Sequence, residues 1–235
     1  KYPDGYVLFY DSEFGSPPPY FKAFGIDISR VIHVPIKSVE ELKFDIMQQL
    51  DNIDRKDDVM IAIDSLGNLA SKKEIDDALD GKSVADMTRA KQMKSLFRMV
   101  TPHLTIKNIP MFAIMHIYMT QEMYSKAVVS GGTGGYYSAD TIFIIGRQQE
   151  KDGSEVSGYN FVINIEKSRF VREKAKIPIT VTFEGGINRW SGLLDLASDG
   201  GFVNKVRKRG YVYNRIDPET GEVDETDFTE TVSYT

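Results

Sequence analysis

Two rhythms of apolar and polar residues alternate along the first half of this chain. GYVLFYDSEFG (5–15) and VMIAID (59–64) are apolar runs closed by acids, the pattern of strands buried on both faces. VIHVPI (31–36) is a third run, held toward an edge or an end by Pro35, which has no N–H for a ladder. Between these runs the period lengthens. In SVEELKFDIMQQLDNI (38–53), Val39, Leu42, Ile46 and Leu50 share one helical face, and Ser38 with Glu41 three residues later predicts a capping box. Ser16 as cap and Pro17 in the first turn predict a short helix in SPPPYFKAFGID. A helix running from about residue 84 to 104 leads into IPMFAIMHIYM (109–119), read as one buried strand. Beyond it TIFIIGRQ (141–148), GYNFVINIEKSR (158–169) and IPITVTFEG (177–185) follow one another with little helix between them. The pattern predicts an α/β fold, a mostly parallel twisted sheet flanked by helices, with antiparallel strands added at one edge.

Composition narrows the function classes. The net charge of -5 argues against a surface that coats nucleic acid as a whole and leaves room for a local basic stripe. The absence of cysteine removes disulfide and thiolate chemistry and fits a reducing cytoplasm. No apolar stretch approaches a membrane span, so no membrane partner is expected. His33, His103 and His116 are too scattered to suggest a metal site. With no repeat and no low-complexity linker, residues 1–198 read as one core and 199–235 as a small C-terminal extension, ending in the acidic, turn-rich DPETGEVDETDFTETVSYT.

Chemistry concentrates at strand ends. In open α/β sheets ligands sit beyond the carboxyl ends of parallel strands, where Asp11, Glu13 and Asp64 fall. Asp64 closes its apolar run as a carboxylate that orients Mg2+ or its water shell would; a turn or helix cap is the plainer alternative. Glu13, two residues past Asp11, is placed to take a proton from a water attacking a γ-phosphate.

LFYDSEFG, IDSLGNLASKKE, MTRAKQMKSLFR, AIMHIYMTQEM, GGTGGYYSADTIFIIG, EKSR and GINRWSGLLDLA occur in an order that resembles the UvsX-type phage recombinases of the RecA family, strand-exchange ATPases, over about residues 1 to 215. The resemblance implies a RecA-like ATPase core using ATP and Mg2+. It further implies filaments on single-stranded DNA, exchange with homologous duplex DNA, and roles in repair and recombination-dependent replication. Single-strand-binding and mediator proteins would be partners, and the location would be the cytoplasm of an infected bacterial host. One departure stands out. The family's G-x-x-x-x-G-K-[ST] phosphate loop is absent, and GGTGG (131–135) lacks the following Lys-Ser/Thr. The chain is therefore expected to be part of a longer protein and to bind ATP poorly by itself. A RecA-like ring helicase and a truncated DNA-binding paralogue without turnover are the rival readings.

Residue by residue, the resemblance makes Glu13 the water-activating glutamate and Asp64 the metal-orienting aspartate, with Ser65 beside it. His116 takes the position that senses the γ-phosphate; Met115 and Met119 stand where polar residues are expected around it. In EKSR, two-residue alternation puts Lys167 and Arg169 on one strand face, and the resemblance has such a pair grip a nucleotide bound to the neighbouring subunit. A basic strand edge that blocks aggregation is the alternative. For DNA, Lys91, Lys94 and Arg98 form one helical stripe opposite Met93, Leu96, Phe97 and Val100, with Arg89 at the start of the same segment. A first DNA loop is expected at about 70 to 86, with Lys72 and Lys73 toward phosphate. A second spans roughly 119 to 138, with Gly131, Gly132, Gly134 and Gly135 opening the backbone to phosphates. Its Tyr124, Lys126 and Tyr136 would stack on bases or meet phosphate. Half-buried packing is the alternative for the tyrosines, Tyr137 foremost.

Overall fold

The computed structural model describes residues 4–82, 87–121, 127–130, 133–152, 155–206, 210–216, 220 and 223–229. The chain divides into two compact units, 1–139 and 140–235.

The first unit is built on strands β1 (Tyr6–Asp11), β2 (Val31–Pro35), β3 (Val59–Asp64) and β4 (Met111–Ala113), all parallel in the order β2-β1-β3-β4. Pro35 thus sits on an edge strand, as its missing N–H requires. Helix α1 (Pro18–Ala23) starts from Pro17 without a side-chain cap, so Ser16 does not cap it. Helix α2 (Val39–Asn52) buries Val39, Leu42, Ile46 and Leu50 completely. Ser38 Oγ accepts the Glu41 N–H at 3.1 Å, but the Glu41 carboxylate takes the Lys37 N–H instead of closing the box on Ser38. These residues join Leu8, Tyr10, Ile61 and Ile63 of the sheet in one core.

Four stretches differ from the sequence expectation. Within the expected first DNA loop, α3 (Lys72–Leu79) forms on a complete capping box between Ser71 and Glu74. It buries no residue, which is why no apolar stripe announced it. Helix α4 (Thr88–Lys107) begins later than expected and runs through Pro102 to a left-handed Asn108. The run 109–119 is not one buried strand. It breaks after β4 and resumes as the exposed β5 (Ile117–Met119), which pairs antiparallel with β6 (Ala127–Val129). The break falls where β3 ends: Ile114 N–H makes the last ladder bond, to Ile63 O, and its carbonyl accepts the Leu66 N–H from the loop beyond β3. Helix α5 (Thr133–Ser138) closes the unit inside the expected second loop.

The second unit holds the antiparallel strands β7 (Thr141–Asp152), β8 (Glu155–Ser168), β9 (Lys176–Thr182) and β10 (Gly186–Ile187), ordered β10-β9-β8-β7. Helix α6 (Leu193–Asp199) precedes a three-stranded sheet of β11 (Val203–Lys205), β12 (Gly210–Ile216) and β13 (Val223–Thr229). Leu194, Val203 and Tyr211 form its small core.

Candidate functional site

Parallel pairing of β1 with β3 puts Asp11 and Asp64 in register at neighbouring strand tips. The two chains stay together past the sheet. Ser12 N–H donates to Asp64 O at 2.7 Å, Ser12 Oγ donates to Ser65 O at 2.6 Å, and Ser65 N–H donates back to Ser12 Oγ at 3.0 Å. The peptide between Asp64 and Ser65 is cis. Buried Ser12 was not a candidate from sequence, yet it ties the acids of both tips together.

Asp11 and Glu13 are separated in role by burial. Asp11 is 1% exposed and spends one oxygen on the N–H groups of Glu13 and Phe14, at 3.0 and 2.7 Å. His33 Nε2 lies 3.0 Å from its other oxygen. This Asx-type turn fixes the backbone from which the Glu13 side chain reaches outward. Ser65 Oγ donates to Glu13 Oε1 at 2.6 Å, and His116 Nε2 stands 3.3 Å from Ser65 Oγ and 3.4 Å from Glu13 Oε1. Among the described residues nothing hydrogen-bonds Glu13 Oε2. Asp64 is half-buried, and desolvation holds its carboxyl above the ordinary value, with Glu13 and then Asp11 adding repulsion and His116 opposing it.

This donor set fits Mg2+ held through water and a bridging phosphate. That mode takes one or two carboxylates, and a cation relieves the repulsion that raises Asp64. Among the described residues no three ligating side chains form a cage of their own.

Lys91, Lys94 and Arg98 lie exposed along α4, without an ion-pair partner among the described residues, while Met93, Leu96, Phe97 and Val100 are buried behind them. Arg89 is placed differently. Its Nε donates to Leu69 O at 2.6 Å and its Nη2 to Leu66 O and Gly67 O at 3.0 and 2.9 Å. Its guanidinium faces the loop after Asp64 instead of extending the stripe. Lys72 opens α3, donating its N–H to Glu40, and Lys73 is paired with Asp77. Gly134 and Gly135 lie in α5, not in an open loop. A Cβ on Gly134 would stand 2.9 Å from Lys94 Cα, and one on Gly135 would stand 3.1 Å from the Phe97 ring, so both glycines serve close packing on α4. Met115 packs on the core, while Met119 is exposed. Tyr136 is half-buried with its ring edge-on to Tyr137, and Tyr137, expected to pack, is 70% exposed. Tyr124, Lys126, Gly131 and Gly132 lie outside the described residues.

In the second unit Lys167 is half-buried near the end of β8, and Arg169 lies just past it, its guanidinium 2.8 Å from the Asp140 carboxylate. Lys167 pairs with Ile142 and Ile165 with Phe143, leaving Glu166 as a bulge. The bulge precedes Lys167: from Lys167 through Ser168 the pairing with Ile142 and Thr141 is regular, and Arg169 N–H goes on to donate to Asp140 O at 3.0 Å.

The RecA N-terminal domain family matches residues 2–188, and the C-terminal domain family of the bacteriophage T4 recombination and repair protein matches 190–232. The recombination and repair protein of Enterobacteria phage T4 is 58% identical over 223 residues, covering 95% of this chain and 57% of that protein. Protein RecA of Acholeplasma laidlawii (strain PG-8A) is 26% identical over 93% of this chain and 64% of its own length. For Protein RecA of Clostridioides difficile (strain 630) the figures are 25%, 93% and 61%. The chain thus spans less than two thirds of the length of these relatives. With most of its residues matched by the RecA N-terminal domain and its acids gathered at adjacent parallel strand tips, the chain belongs to the RecA family.

Proposed function

We propose that the protein to which this chain belongs is an ATP-dependent DNA strand-exchange recombinase. It forms filaments on single-stranded DNA and pairs it with homologous duplex DNA in recombination, repair and recombination-dependent replication. The T4 relative named for recombination and repair supports this reading, since the likeness runs through nearly the whole chain. Residues 1–198 act as the ATPase and DNA-binding core and 199–235 as an extension. Single-strand-binding and mediator proteins are its partners, in the cytoplasm of an infected bacterial host. The 235 residues alone, which contain no G-x-x-x-x-G-K-[ST], turn ATP over poorly.

The observation that carries the proposal is the contact of Glu13, Ser65 and His116 beside Asp64. Mg–ATP, when bound, would supply an electrophilic γ-phosphorus, and Asp64 would hold the metal through its water shell. Ser65 Oγ fixes Glu13 through Oε1, which leaves Oε2 to accept a proton from the attacking water. His116, within reach of both Ser65 and Glu13, shifts their positions when its own place is altered by nucleotide. Lys91, Lys94 and Arg98 take DNA phosphates, with Tyr136 and residues of the 119–138 segment toward bases. Glu13→Gln keeps the Ser65 contact and removes the base. In the intact protein it should lower DNA-stimulated ATP turnover by about 10²–10⁴-fold while single-stranded DNA binding persists. Turnover at the unsubstituted rate would remove Glu13 from this role.

A further inference from the structure

Arg89 is the second residue of α4, the helix that displays Lys91, Lys94 and Arg98. Its half-buried guanidinium turns away from that stripe and binds the carbonyls of Leu66, Gly67 and Leu69. These belong to the loop that leaves Asp64 and Ser65. The loop is stiff: Leu66 and Leu69 are core residues, Leu66 N–H is held by Ile114 O at 2.9 Å, and Asn68 Nδ2 donates to Ser12 O at 2.9 Å. At its centre Gly67 lies so close to the His116 imidazole that a Cβ there would stand 2.5 Å from His116 Cδ2. His116 in turn faces Ser65 and Glu13. A planar guanidinium holding three carbonyls is a rigid link, because its donors are fixed relative to one another.

We propose that Arg89 is a positioning residue that couples phosphate occupancy on α4 to the placement of His116 against Ser65 and Glu13. When a single-stranded DNA backbone loads Lys91, Lys94 and Arg98, a small shift of α4 is carried by the Arg89 fork to the carbonyls on either side of Gly67. The imidazole lying on Gly67 moves with them. Arg89 thereby acts in the hydrolytic step without touching DNA or nucleotide. The inference rests on the function proposed above.

Arg89→Lys keeps the charge and removes the fork. In the intact protein, oligo(dT) affinity and ATP turnover are measured with and without saturating oligo(dT). Arg89→Lys should lower the ratio of DNA-stimulated to DNA-free turnover by roughly 5–150-fold, the usual span of coupling between sites. Lys91→Ala, which removes one phosphate contact, should weaken oligo(dT) binding and gives the signature of a direct DNA contact. Gly67→Ala, which displaces His116 from the other side of the link, should reproduce the Arg89→Lys loss of ratio with oligo(dT) still bound. The His116 ring resonances should shift on oligo(dT) addition in the unsubstituted protein and not in Arg89→Lys. If Arg89→Lys instead weakens oligo(dT) binding as Lys91→Ala does and preserves the ratio at saturation, Arg89 is a DNA contact and the inference falls. It falls equally if neither quantity changes. An unsubstituted protein that binds oligo(dT) without any rise in turnover overturns the functional reading itself, a result distinct from loss of coupling in the variants alone.

Discussion

Asp64 and Asp11 end neighbouring strands in register, yet their surroundings give them different work. Asp11 is consumed by backbone N–H groups and His33, whereas Asp64 is left half-buried facing other acids. Desolvation, then Glu13 and Asp11, raise the Asp64 carboxyl above its unfolded value. The folded chain therefore binds this proton more tightly than the unfolded chain does. Stability from this group falls as pH rises from the ordinary carboxylate value through the raised one, and the penalty stays in place above it. Asp64→Asn removes the penalty. Without nucleotide or Mg2+, it should melt at a higher temperature than the unsubstituted protein at neutral pH, and the difference should shrink as pH drops below the carboxylate range. ATP turnover should be lost at the same time. A melting temperature equal or lower at neutral pH would mean that the Asp64 charge is already compensated inside the fold.

At the scale of elements, α4 joins a packed face to a charged one. Met93, Leu96, Phe97 and Val100 anchor it, and α5 lies so close that Gly134 admits no side chain against Lys94. That rigidity fixes the spacing of Lys91, Lys94 and Arg98. Replacing all three by Ala should flatten the dependence of log affinity on log salt for single-stranded DNA by about 2, at ~0.7 per phosphate contact. An unchanged slope would mark the stripe as a solvated face. The buried side of this helix, and that of α2, were legible because four apolar residues recur at helical spacing. The neighbouring tips carrying Glu13 and Asp64 were legible because parallel strands share one carboxyl end. Helix α3 was missed although Ser71 and Glu74 spell its capping box, since its acidic sequence has no buried side. The break after Ala113 could not be read from a continuous apolar run, because it falls where the neighbouring β3 ends and the Ile114 carbonyl turns to the backbone of the following loop. The Arg89 clamp left no mark for the same reason: its acceptors are carbonyls, which every residue has.

For the whole molecule the filament proposed above makes an interface the unit of activity. Glu13 and Asp64 belong to the first unit, and Lys167 and Arg169 to the second. In the proposed filament the basic pair of one subunit serves the nucleotide of its neighbour. Arg169 suits exchange of partners. Its ion pair with Asp140 is exposed on both sides, the kind that contributes little stability and yields readily to a phosphate. A head-to-tail interface makes each site from two different chains, so defects in its two halves should complement. Glu13→Gln subunits lack the base but keep the basic pair. Subunits with Lys167→Ala and Arg169→Ala lack the pair but keep the base. Each alone should turn ATP over slowly on single-stranded DNA. Mixed in equal amounts before filaments form, about one interface in four joins an intact base to an intact pair, and turnover should rise toward that fraction of the unsubstituted rate. Mixing after each has assembled separately should recover far less until subunits exchange. If the co-assembled mixture is no more active than the mean of its parts, Lys167 and Arg169 act within their own subunit or not on the nucleotide at all.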